Sequence, residues 1–477
     1  MSSIGNTLLG IFSWVFGQGA PVIVPLSILI LGLIFRAPAK TTLSAALRMG
    51  VGFTALYALI GIIFGALGPA AQLMAERFGI ALTITDVGWP VHSGITFSLA
   101  WSMLAIALFF LLNAVLVAVG LVKTLNVDFF NHWAYVFVIA AVQITTGSWI
   151  LAIASGVLYW FITLKMADWT QPILDAYYDF PMKGISIPHT YSVMFAPFGF
   201  LLDKIWDRIP GIKDVKISTE GIRDRFGLLG EPIFIGFVIG LVVGGIAYLG
   251  WPPTGAQIGS MISLALTLGF FMVLLPRASE LIVMGMAPLA ESIREWIVKR
   301  MPGREFFLGL DVAIVVGAPE HVAMGVLLAP ICFLVAVLLP GNRVLPLADA
   351  GGFMIFFTVF AINTCRGNLF RGLLNSILLW IPVSLFIAGA FSPATMEMVA
   401  QTGFALPGGA LQITSITSGS FFVGYAFYAI SNFIMGVGAV WGLVIGLAIL
   451  VVFGGVWYLM RNRPKEYVEE LAAAKAE

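Results

Sequence analysis

Residues 84–94 read I-T-D-V-G-W-P-V-H-S-G, and residues 314–325 read I-V-V-G-A-P-E-H-V-A-M-G. Both stretches contain the pattern Gly-x-Pro-x-His, and both lie in an otherwise apolar chain. Glycine and proline interrupt helices, and backbone freed at membrane depth must be satisfied inside the protein or at a water-lined cavity. The pattern therefore predicts two matching chain breaks that bring polar groups to a buried place.

The composition is that of a membrane protein. Of the 477 residues, 60% are hydrophobic and 10% are charged, whereas soluble proteins carry about 25% charged residues. Apolar runs of about 20 residues recur, each long enough to cross a bilayer as a helix; a transmembrane barrel would instead show alternating segments of about ten residues. The sequence predicts an all-α polytopic membrane protein. The net charge of +1 gives no indication of an acidic partner.

The apolar runs predict about eleven transmembrane helices. Their predicted bounds are 10–35, 49–67, 96–120, 133–163, 186–203, 232–250, 257–275, 322–339, 346–364, 372–391 and 425–459. Residues 1–459 are predicted to form one membrane domain, followed by a cytoplasmic tail over 460–477. Within the domain, repeat one spans about 10–203, repeat two spans about 232–391, and the final helix spans about 425–459. No Lys or Arg precedes Arg36, so the first run is expected to stay as a helix and not to act as a signal peptide.

The basic residues predict the orientation, because cytoplasmic loops are enriched in lysine and arginine. If the N-terminus lies outside and the chain alternates at each predicted helix, 21 of the 25 basic residues fall inside. The four that remain outside are Arg77, Lys165, Lys183 and Arg343. The prediction is therefore an outside N-terminus and a cytoplasmic C-terminus.

The two breaks belong to a longer similarity. G-P-A-A-Q-L-M-A-E-R-F (68–78) precedes the first break, and A-P-L-A-E-S-I-R-E-W-I (287–297) precedes the second. Five predicted helices, an odd number, separate the two copies, so the second copy is expected upside down. Inverted repeats with broken segments are typical of secondary transporters, whose binding site lies between the repeats near mid-membrane. The alternative is that two Gly-Pro turns resemble each other by chance.

Ionisable residues at membrane depth are costly and are therefore functional candidates. Five of them cluster at the two breaks: Asp86, His92, Asp311, Glu320 and His321. The alternative for each is a loop position in ordinary water. The other two histidines are His132, which opens the fourth predicted helix, and His189, which ends a third break, G-I-S-I-P-H (184–189). Helix capping at a membrane interface is the alternative near His132.

The sequence shows none of the common motifs of catalytic, nucleotide-binding or metal-binding sites. The chain contains no Walker loop, HExxH, GxSxG or CxxC pattern. Cys332 and Cys365 lie in apolar stretches and are expected to act as small buried hydrophobes, with no disulfide or metal role. We predict no cofactor, no metal ion, no catalytic residue and no nucleic-acid partner.

Seven motifs between residues 86 and 371 resemble, in order, the galactitol-type membrane component IIC of the phosphotransferase system. They are D-V-G-W-P, N-V-D-x-x-N-x-W, T-G-S-W, G-I-x-I-P-H, F-G-x-x-G-E-P, P-G-N-x-V-L-P and G-N-L-F-R. The ascorbate-type components are similar at greater distance. The resemblance implies eleven helices in a core and a scaffold domain, a homodimer in the bacterial plasma (inner) membrane, and rigid-body movement of the core.

The resemblance also implies a function. The chain is expected to bind and translocate a polyol, with galactitol the first candidate, for phosphorylation by the phosphocysteine of a partner IIB protein. The phosphoryl chemistry would lie on separate IIA and IIB chains, so whether this subunit counts as an enzyme stays open. The repeat alone allows an alternative, an ion-coupled secondary transporter of a sugar or polyol.

The ascorbate-type site, carried over by motif, implies the substrate-binding residues. They are His189, Thr190, Asp86, Val87, Gly88, Trp89, His132 and Asp311. His92, Glu320 and His321 depart from the galactitol pattern. If both breaks line the site, these three residues are expected to affect which polyol fits.

Overall fold

The fold is mostly helical. The computed structural model describes residues 20–79, 82–128, 130–178, 180, 183–219, 221, 231–300, 305–403 and 412–476. Residues 10–19 of the first predicted helix lie outside the described residues. In chain order the helices are α1 (Ala20–Ile34), α2 (Ala39–Arg77), α3 (Trp89–Phe97), α4 (Ser102–Ala118), α5 (Trp133–Thr146), α6 (Trp149–Tyr177), α7 (Thr190–Val193), α8 (Ala196–Trp206), α9 (Pro232–Tyr248), α10 (Gly255–Arg300), α11 (Pro319–Leu338), α12 (Asp349–Gly352), α13 (Met354–Phe357), α14 (Val359–Asn363), α15 (Leu369–Asn375), α16 (Ile381–Thr402), α17 (Ile416–Gly419), α18 (Phe422–Ile434), α19 (Val440–Met460) and α20 (Arg463–Ala476).

Long apolar helices fit the predicted membrane class. Among the described residues, six helical stretches are long and apolar enough to cross a membrane: Ala39–Met74, Trp149–Tyr177, Gly255–Ile282, Pro319–Leu338, Leu369–Thr402 and Val440–Met460. Their outer surfaces carry large apolar side chains, such as the exposed Trp441, Val451 and Leu459 of α19. Such a surface is stable in lipid and not in water. The all-α membrane class is confirmed, whereas the count of eleven helices is not.

Two small parallel sheets, which the sequence did not predict, organise the described part of the chain. Their strands are β1 (Ile84–Asp86), β2 (Thr124–Asn126), β3 (Ile185–Ser186), β4 (Phe307–Gly309), β5 (Val344–Leu345) and β6 (Ile413–Thr414). The strand orders are β5-β1-β6 and β2-β4-β3. Each central strand comes from one half of the chain and each flanking pair from the other half. The two halves are therefore interleaved at both sheets.

The fourth predicted helix, 133–163, is wrong as a single helix. Gly147, with φ of 70°, ends α5 in the left-handed conformation, and the Ser148 hydroxyl accepts from Leu151 N (3.3 Å) to begin α6. Gly156 then lies against Ile139, so α5 and α6 run antiparallel. Glycine adopts the left-handed conformation without steric cost, which allows the reversal.

The reversal between α5 and α6 changes the predicted side of the membrane for two lysines. The Lys165 ammonium donates to the Leu121 carbonyl (3.0 Å), and the Lys183 ammonium donates to the Asp175 carbonyl near the end of α6 (2.6 Å). Both therefore lie on the face of Lys123. The assignment of Lys165 and Lys183 to the opposite face is corrected.

The fifth predicted helix, 186–203, is also corrected. It consists of β3, the short α7 and α8. Gly184 N donates to the Asp175 carboxylate at one end, and Phe200 packs on Trp169 at the other, with ring centroids 5.8 Å apart. The segment therefore begins and ends near the C-terminal part of α6. Pro188 and Pro197 favour this interrupted path, because proline lacks the N–H that a continuous helix needs.

Two further predicted helices are divided. The stretch 425–459 forms the antiparallel α18 and α19, joined at Gly436 with φ of 71°, and Gly446 lies against the Ala426 carbonyl. The stretch 346–364 forms the short helices α12, α13 and α14. The predicted tail is largely helical, since it forms α20, with Tyr467 buried against Phe200.

Candidate functional site

Two groups of buried polar residues lie at the ends of the two sheets. The first centre comprises Asp86, Asp349, Ser415 and Thr417 and follows β1, β5 and β6. The second centre comprises Asp128, Asn131, His189 and Asp311 and follows β2, β3 and β4. Parallel strands end at the same edge of a sheet, which is why residues more than 300 positions apart meet.

In the first centre the carboxylates hold the chain breaks together. Asp86 accepts from the backbone N–H of Gly88 (3.2 Å), Ala348 (3.0 Å), Asp349 (2.6 Å) and Ile416 (3.3 Å). Gly88 has φ of 80°, so the turn favours glycine there. Asp86 therefore joins one half of the chain to two breaks of the other half.

Asp349 completes the first centre. Its carboxylate accepts from Trp89 N (2.9 Å), and also from Ser415 Oγ (2.5 Å), Thr417 N (2.9 Å) and Thr417 Oγ1 (3.1 Å). Asp86 and Asp349 are both buried. Buried carboxylates are tolerated when hydrogen bonds satisfy them, and each of these has four donors.

In the second centre side chains do most of the bonding. The Asn131 amide donates to Asp128 Oδ2 (2.6 Å) and to Asp311 Oδ2 (2.8 Å), and so bridges two carboxylates. His189 Nε2 lies 3.0 Å from Asp128 Oδ2 and 3.7 Å from Asp311 Oδ1. Tyr191 OH donates to Asn131 Oδ1 (2.9 Å). Asp311 is the outermost member, because its side chain is 14% exposed whereas that of Asp128 is 1% exposed.

Three members of this centre resemble a metal-ligand group. One donor atom each of Asp128, His189 and Asp311 lies within 4.8 Å of the others. However, Asn131 and His189 already occupy the inner carboxylate oxygens with hydrogen bonds. Within the described chain, these two side chains therefore supply hydrogen bonds to both carboxylates.

A small pocket opens beside the second centre. Its lining is mainly aromatic and comes from both halves of the chain: Phe53, Leu56, Tyr57, Trp89, Phe130, Asn131, Tyr191, Asp311, Ala313, Phe353 and Phe356. Its free volume is about 20 Å³, which is room for about one water molecule. The Trp89 indole N–H, although buried, has no hydrogen-bond partner within the described chain. The pocket thus combines ring faces with polar groups that can meet hydroxyls.

The structure brings together six of the predicted site residues. Asp86, Val87, Gly88 and Trp89 lie at the first centre, and His189 and Asp311 belong to the second. Val87 contributes its backbone N–H, which donates to the Thr414 carbonyl (2.9 Å). Thr190 follows His189, and its hydroxyl hydrogen-bonds to Tyr159 OH.

His132 and His92 lie outside the pocket lining. His132 Nδ1 is 2.7 Å from the Asp128 carbonyl, and its ring packs on Phe110. His92 Nε2 is 3.0 Å from Thr395 Oγ1, and its ring packs on Phe137. Both contacts lie within the packed interior.

Glu320 and His321 contact the end of α6. The Tyr177 hydroxyl donates to Glu320 (3.0 Å), and the Tyr178 hydroxyl is hydrogen-bonded to His321 Nε2. Asn363 also bonds the Tyr178 hydroxyl. Neither Glu320 nor His321 lines the pocket.

Sequence reasoning missed Asp128, Asn131, Tyr191 and Asp349 as site residues. Asp128 and Asn131 lay inside the motif N-V-D-x-x-N-x-W, which supported the family resemblance but gave neither residue a role, and Asp349 lay inside the predicted helix 346–364. A usable signal was available, because Asp86, Asp128 and Asp311 each end or closely follow a short run containing apolar or β-branched residues. Aligning these runs would have selected the buried carboxylates.

The chain is similar to known proteins over most of its length. The family EIIC-GAT, described as the PTS system sugar-specific permease component, matches residues 14–409. A protein of Escherichia coli K12 named "Putative permease IIC component" is 37% identical over 411 residues, which cover 86% of this chain and 92% of that protein. The "PTS system galactitol-specific EIIC component" of the same strain is 32% identical over 399 residues, covering 84% of this chain and 86% of that protein.

The E. coli O157:H7 protein of the same galactitol-specific name gives the same values. Both the family match and these identities extend over most of the chain. The protein therefore belongs to the PTS sugar-specific permease components, and it is a membrane-embedded, multi-pass IIC component.

Proposed function

We propose that this IIC component binds a polyol in the pocket between its two halves and carries it across the bacterial inner membrane for phosphorylation. Galactitol is the first candidate, because two relatives carry that specificity in their names. One observation supports the proposal most. The pocket joins aromatic ring faces to Asn131, Tyr191 and Asp311, which together offer hydroxyls both donors and acceptors.

The chemistry of the pocket suits a polyol. Ring faces such as that of Trp89 pack against C–H groups, while the Trp89 N–H and the Asp311 carboxylate can bond hydroxyls. A site with buried polar groups rejects analogues that lack the matching hydroxyl, because its own groups would be left unpaired. Selectivity among polyols would therefore depend on the positions of Asp311 and Asn131.

Transport requires the pocket to open. A free volume of about 20 Å³ does not admit a six-carbon chain. Phe53, Leu56 and Tyr57 reach the pocket from α2, which packs against α10 where Gly52 meets Ile282. We infer a scaffold of α1, α2, α9 and α10, and a core of the two sheets with their helices. Rigid-body movement of the core against α2 would open the pocket to either side.

The interleaved sheets support the inverted repeat. Each central strand lies in one half of the chain and its flanking pair in the other, and every strand except β6, which follows repeat two, falls within a proposed repeat. We also propose a homodimer with an outside N-terminus and a cytoplasmic C-terminus. Moving Lys165 and Lys183 to the face of Lys123 strengthens the charge asymmetry behind that orientation.

Phosphorylation would be carried out by a partner. A IIB phosphocysteine would transfer its phosphoryl group to a polyol hydroxyl, so that the S–P bond breaks, an O–P bond forms and the hydroxyl proton is released. A separate IIA protein would reload IIB from phosphoenolpyruvate. The new charge would prevent the product from leaving through the membrane.

The proposal is tested by uptake into membrane vesicles that contain the purified subunit. Radiolabelled galactitol is supplied with or without cognate IIB, IIA and phosphoenolpyruvate, and internal galactitol and its phosphate are separated. We expect accumulation as phosphate only when the partners are present. A panel of hexitols and pentitols, run in parallel, identifies the preferred polyol.

Accumulation of unmodified polyol without IIB would contradict the proposal. If such accumulation were abolished by an uncoupler, the ion-coupled transporter would replace it. The Asp311→Asn variant tests the pocket, because it removes one pocket carboxylate and should reduce the accumulation of polyol phosphate.

A further inference from the structure

A basic cleft lies on the proposed cytoplasmic face, away from the pocket. It is formed by the loop 207–218, the hairpin 365–371 and Leu471 of the C-terminal helix α20, and its free volume is about 600 Å³. A volume of that size suits a small-molecule ligand. The proposed function gives this cleft no role.

Specific hydrogen bonds build the cleft. Asn368 Nδ2 donates to the Val215 carbonyl (2.8 Å), and Leu369 N donates to the Ile217 carbonyl (2.8 Å). Arg371 Nη2 donates to the Lys213 carbonyl (3.3 Å). The loop is therefore fastened to the hairpin, and the basic side chains on both walls have fixed backbones.

The arginines of the cleft are neutralised. Arg371 Nη1 lies 2.6 Å from Asp203 Oδ1 and 2.7 Å from Asp207 Oδ1. Arg366 Nη1 lies 2.5 Å from Glu470 Oε2. The network balances four basic residues against four acidic ones: Arg366, Arg371, Arg463 and Lys204 face Asp203, Asp207, Glu466 and Glu470.

Lys213 and Lys216 supply the positive charge of the cleft that remains after these ion pairs. Both line the cleft, both are exposed, and neither ammonium has an ion pair or hydrogen bond within the described chain. Asp214 lies between them in sequence, is exposed and does not line the cleft. The surplus of two positive charges matches a phosphate monoester, which carries about −1.5 to −2 at pH 7.

A short piece of chain connects the pocket to the cleft. Phe356 lines the pocket and Arg366 lines the cleft. The nine residues between them are mostly helical, and the ten steps from Phe356 to Arg366 span about 15 Å at 1.5 Å per residue. A solute that leaves the pocket towards this face would therefore meet the cleft within about 15 Å.

We propose that the basic cleft binds the phosphoryl group of the newly phosphorylated polyol and holds the product before release. This inference rests on the proposed function. Lys213 and Lys216 contact the phosphate, and the ion-paired arginines shape the cleft around it.

The test measures binding to the full-length protein by calorimetry. The probes are galactitol 1-phosphate, inorganic phosphate and galactitol, and the protein is studied in detergent and in nanodiscs with or without phosphatidylglycerol. The variants are Lys213→Gln and Lys216→Gln. Lys465→Gln is the control, because Lys465 is exposed on α20 but does not line the cleft.

We expect each cleft variant to weaken galactitol 1-phosphate binding about tenfold, with galactitol binding unchanged and Lys465→Gln like wild type. If galactitol binds, but the binding of galactitol 1-phosphate is the same in both lysine variants as in wild type, the inference fails while the proposed function stands. If galactitol does not bind but inorganic phosphate binds in a lysine-dependent way, the cleft is supported and the polyol assignment fails. Lysine dependence confined to phosphatidylglycerol nanodiscs would identify a lipid headgroup as the ligand and overturn the inference.

Discussion

The two carboxylate centres are built alike but satisfied differently. In the first centre, Asp86 and Asp349 accept eight hydrogen bonds, and six of the donors are backbone N–H groups. In the second centre, the groups between Asp128 and Asp311 are the side chains of Asn131 and His189. Backbone donors are fixed by the fold, whereas side chains can rotate and exchange partners.

The pocket is lined by a carboxylate of the second centre and by none of the first. Asn131 and Asp311 line it, whereas Asp86 and Asp349 do not. We interpret the first centre as a clamp that holds three chain breaks in place, and the second as the adaptable centre that can exchange internal bonds for polyol hydroxyls. The interpretation assigns opposite consequences to matched substitutions in the two centres.

The largest effect is expected for Asp349→Ala. The change leaves Trp89 N, Ser415 Oγ and both Thr417 donors without their acceptor. Each buried unsatisfied group costs about 1–3 kcal/mol, so the stability loss should be about 5 kcal/mol or more. Domains are stable by about 5–15 kcal/mol, and the variant should fail to fold. The measurement is the monodisperse fraction after detergent extraction.

The matched control is Asp311→Ala in the second centre. Asp311 accepts from Ala313 N and the Asn131 amide and is partly exposed, so this variant should stay folded. Equal loss of folded protein in both variants would break the distinction between clamp and adaptable centre.

The second-largest effect is expected for polyol binding when a histidine is replaced. His189→Ala removes the group between Asp128 and Asp311 and should weaken polyol binding about a hundredfold. His92→Ala, which alters packing near Thr395 and Phe137 outside the pocket lining, should leave polyol binding within a few fold. Calorimetry on the folded fraction measures both. Equal and complete loss in the two variants would contradict the assignment of the site.

The clamp also shows what the sequence could predict. Asp86 was selected because an ionisable residue at a glycine–proline break in apolar sequence is costly, whereas Gly88 and Trp89 were implied by the family resemblance. Asp349 was missed because its partners lie 66 and more residues away, and no local pattern marks such contacts. Strands of two or three residues are likewise too short for alternation to reveal them.

The helices show the same limit. The stretch 133–163 reads as one apolar run, since Thr145, Thr146 and Ser148 are small enough to be tolerated in a helix. The reversal depends on Gly147 adopting a positive φ, and on Gly156 allowing close approach to Ile139. Both are properties of the packed pair, not of the run itself. The family resemblance, by contrast, was recoverable, because ordered motifs need no knowledge of packing.

A smaller effect is expected for Asp311→Asn. The side chain keeps its size, but the pocket loses a negative charge and one acceptor oxygen. Hydrogen bonds to charged groups contribute about 1.5–3 kcal/mol, so polyol affinity should fall about tenfold or more. The thermal midpoint, recorded by differential scanning fluorimetry, should stay close to wild type. Unchanged affinity would remove Asp311 from the site.

The smallest effects come from deleting one hydroxyl in each centre. Thr417→Val removes the Oγ1 donor to Asp349 but keeps the backbone bond, and should lower stability by about 1 kcal/mol without changing polyol affinity. Tyr191→Phe removes the donor to Asn131 in the pocket wall and should weaken binding about fivefold with little change in stability. Thermal melts measure the stability of both variants, and calorimetry measures their affinity for the polyol. If Thr417→Val weakens binding as much as Tyr191→Phe does, the first centre contributes to binding and is not only a clamp.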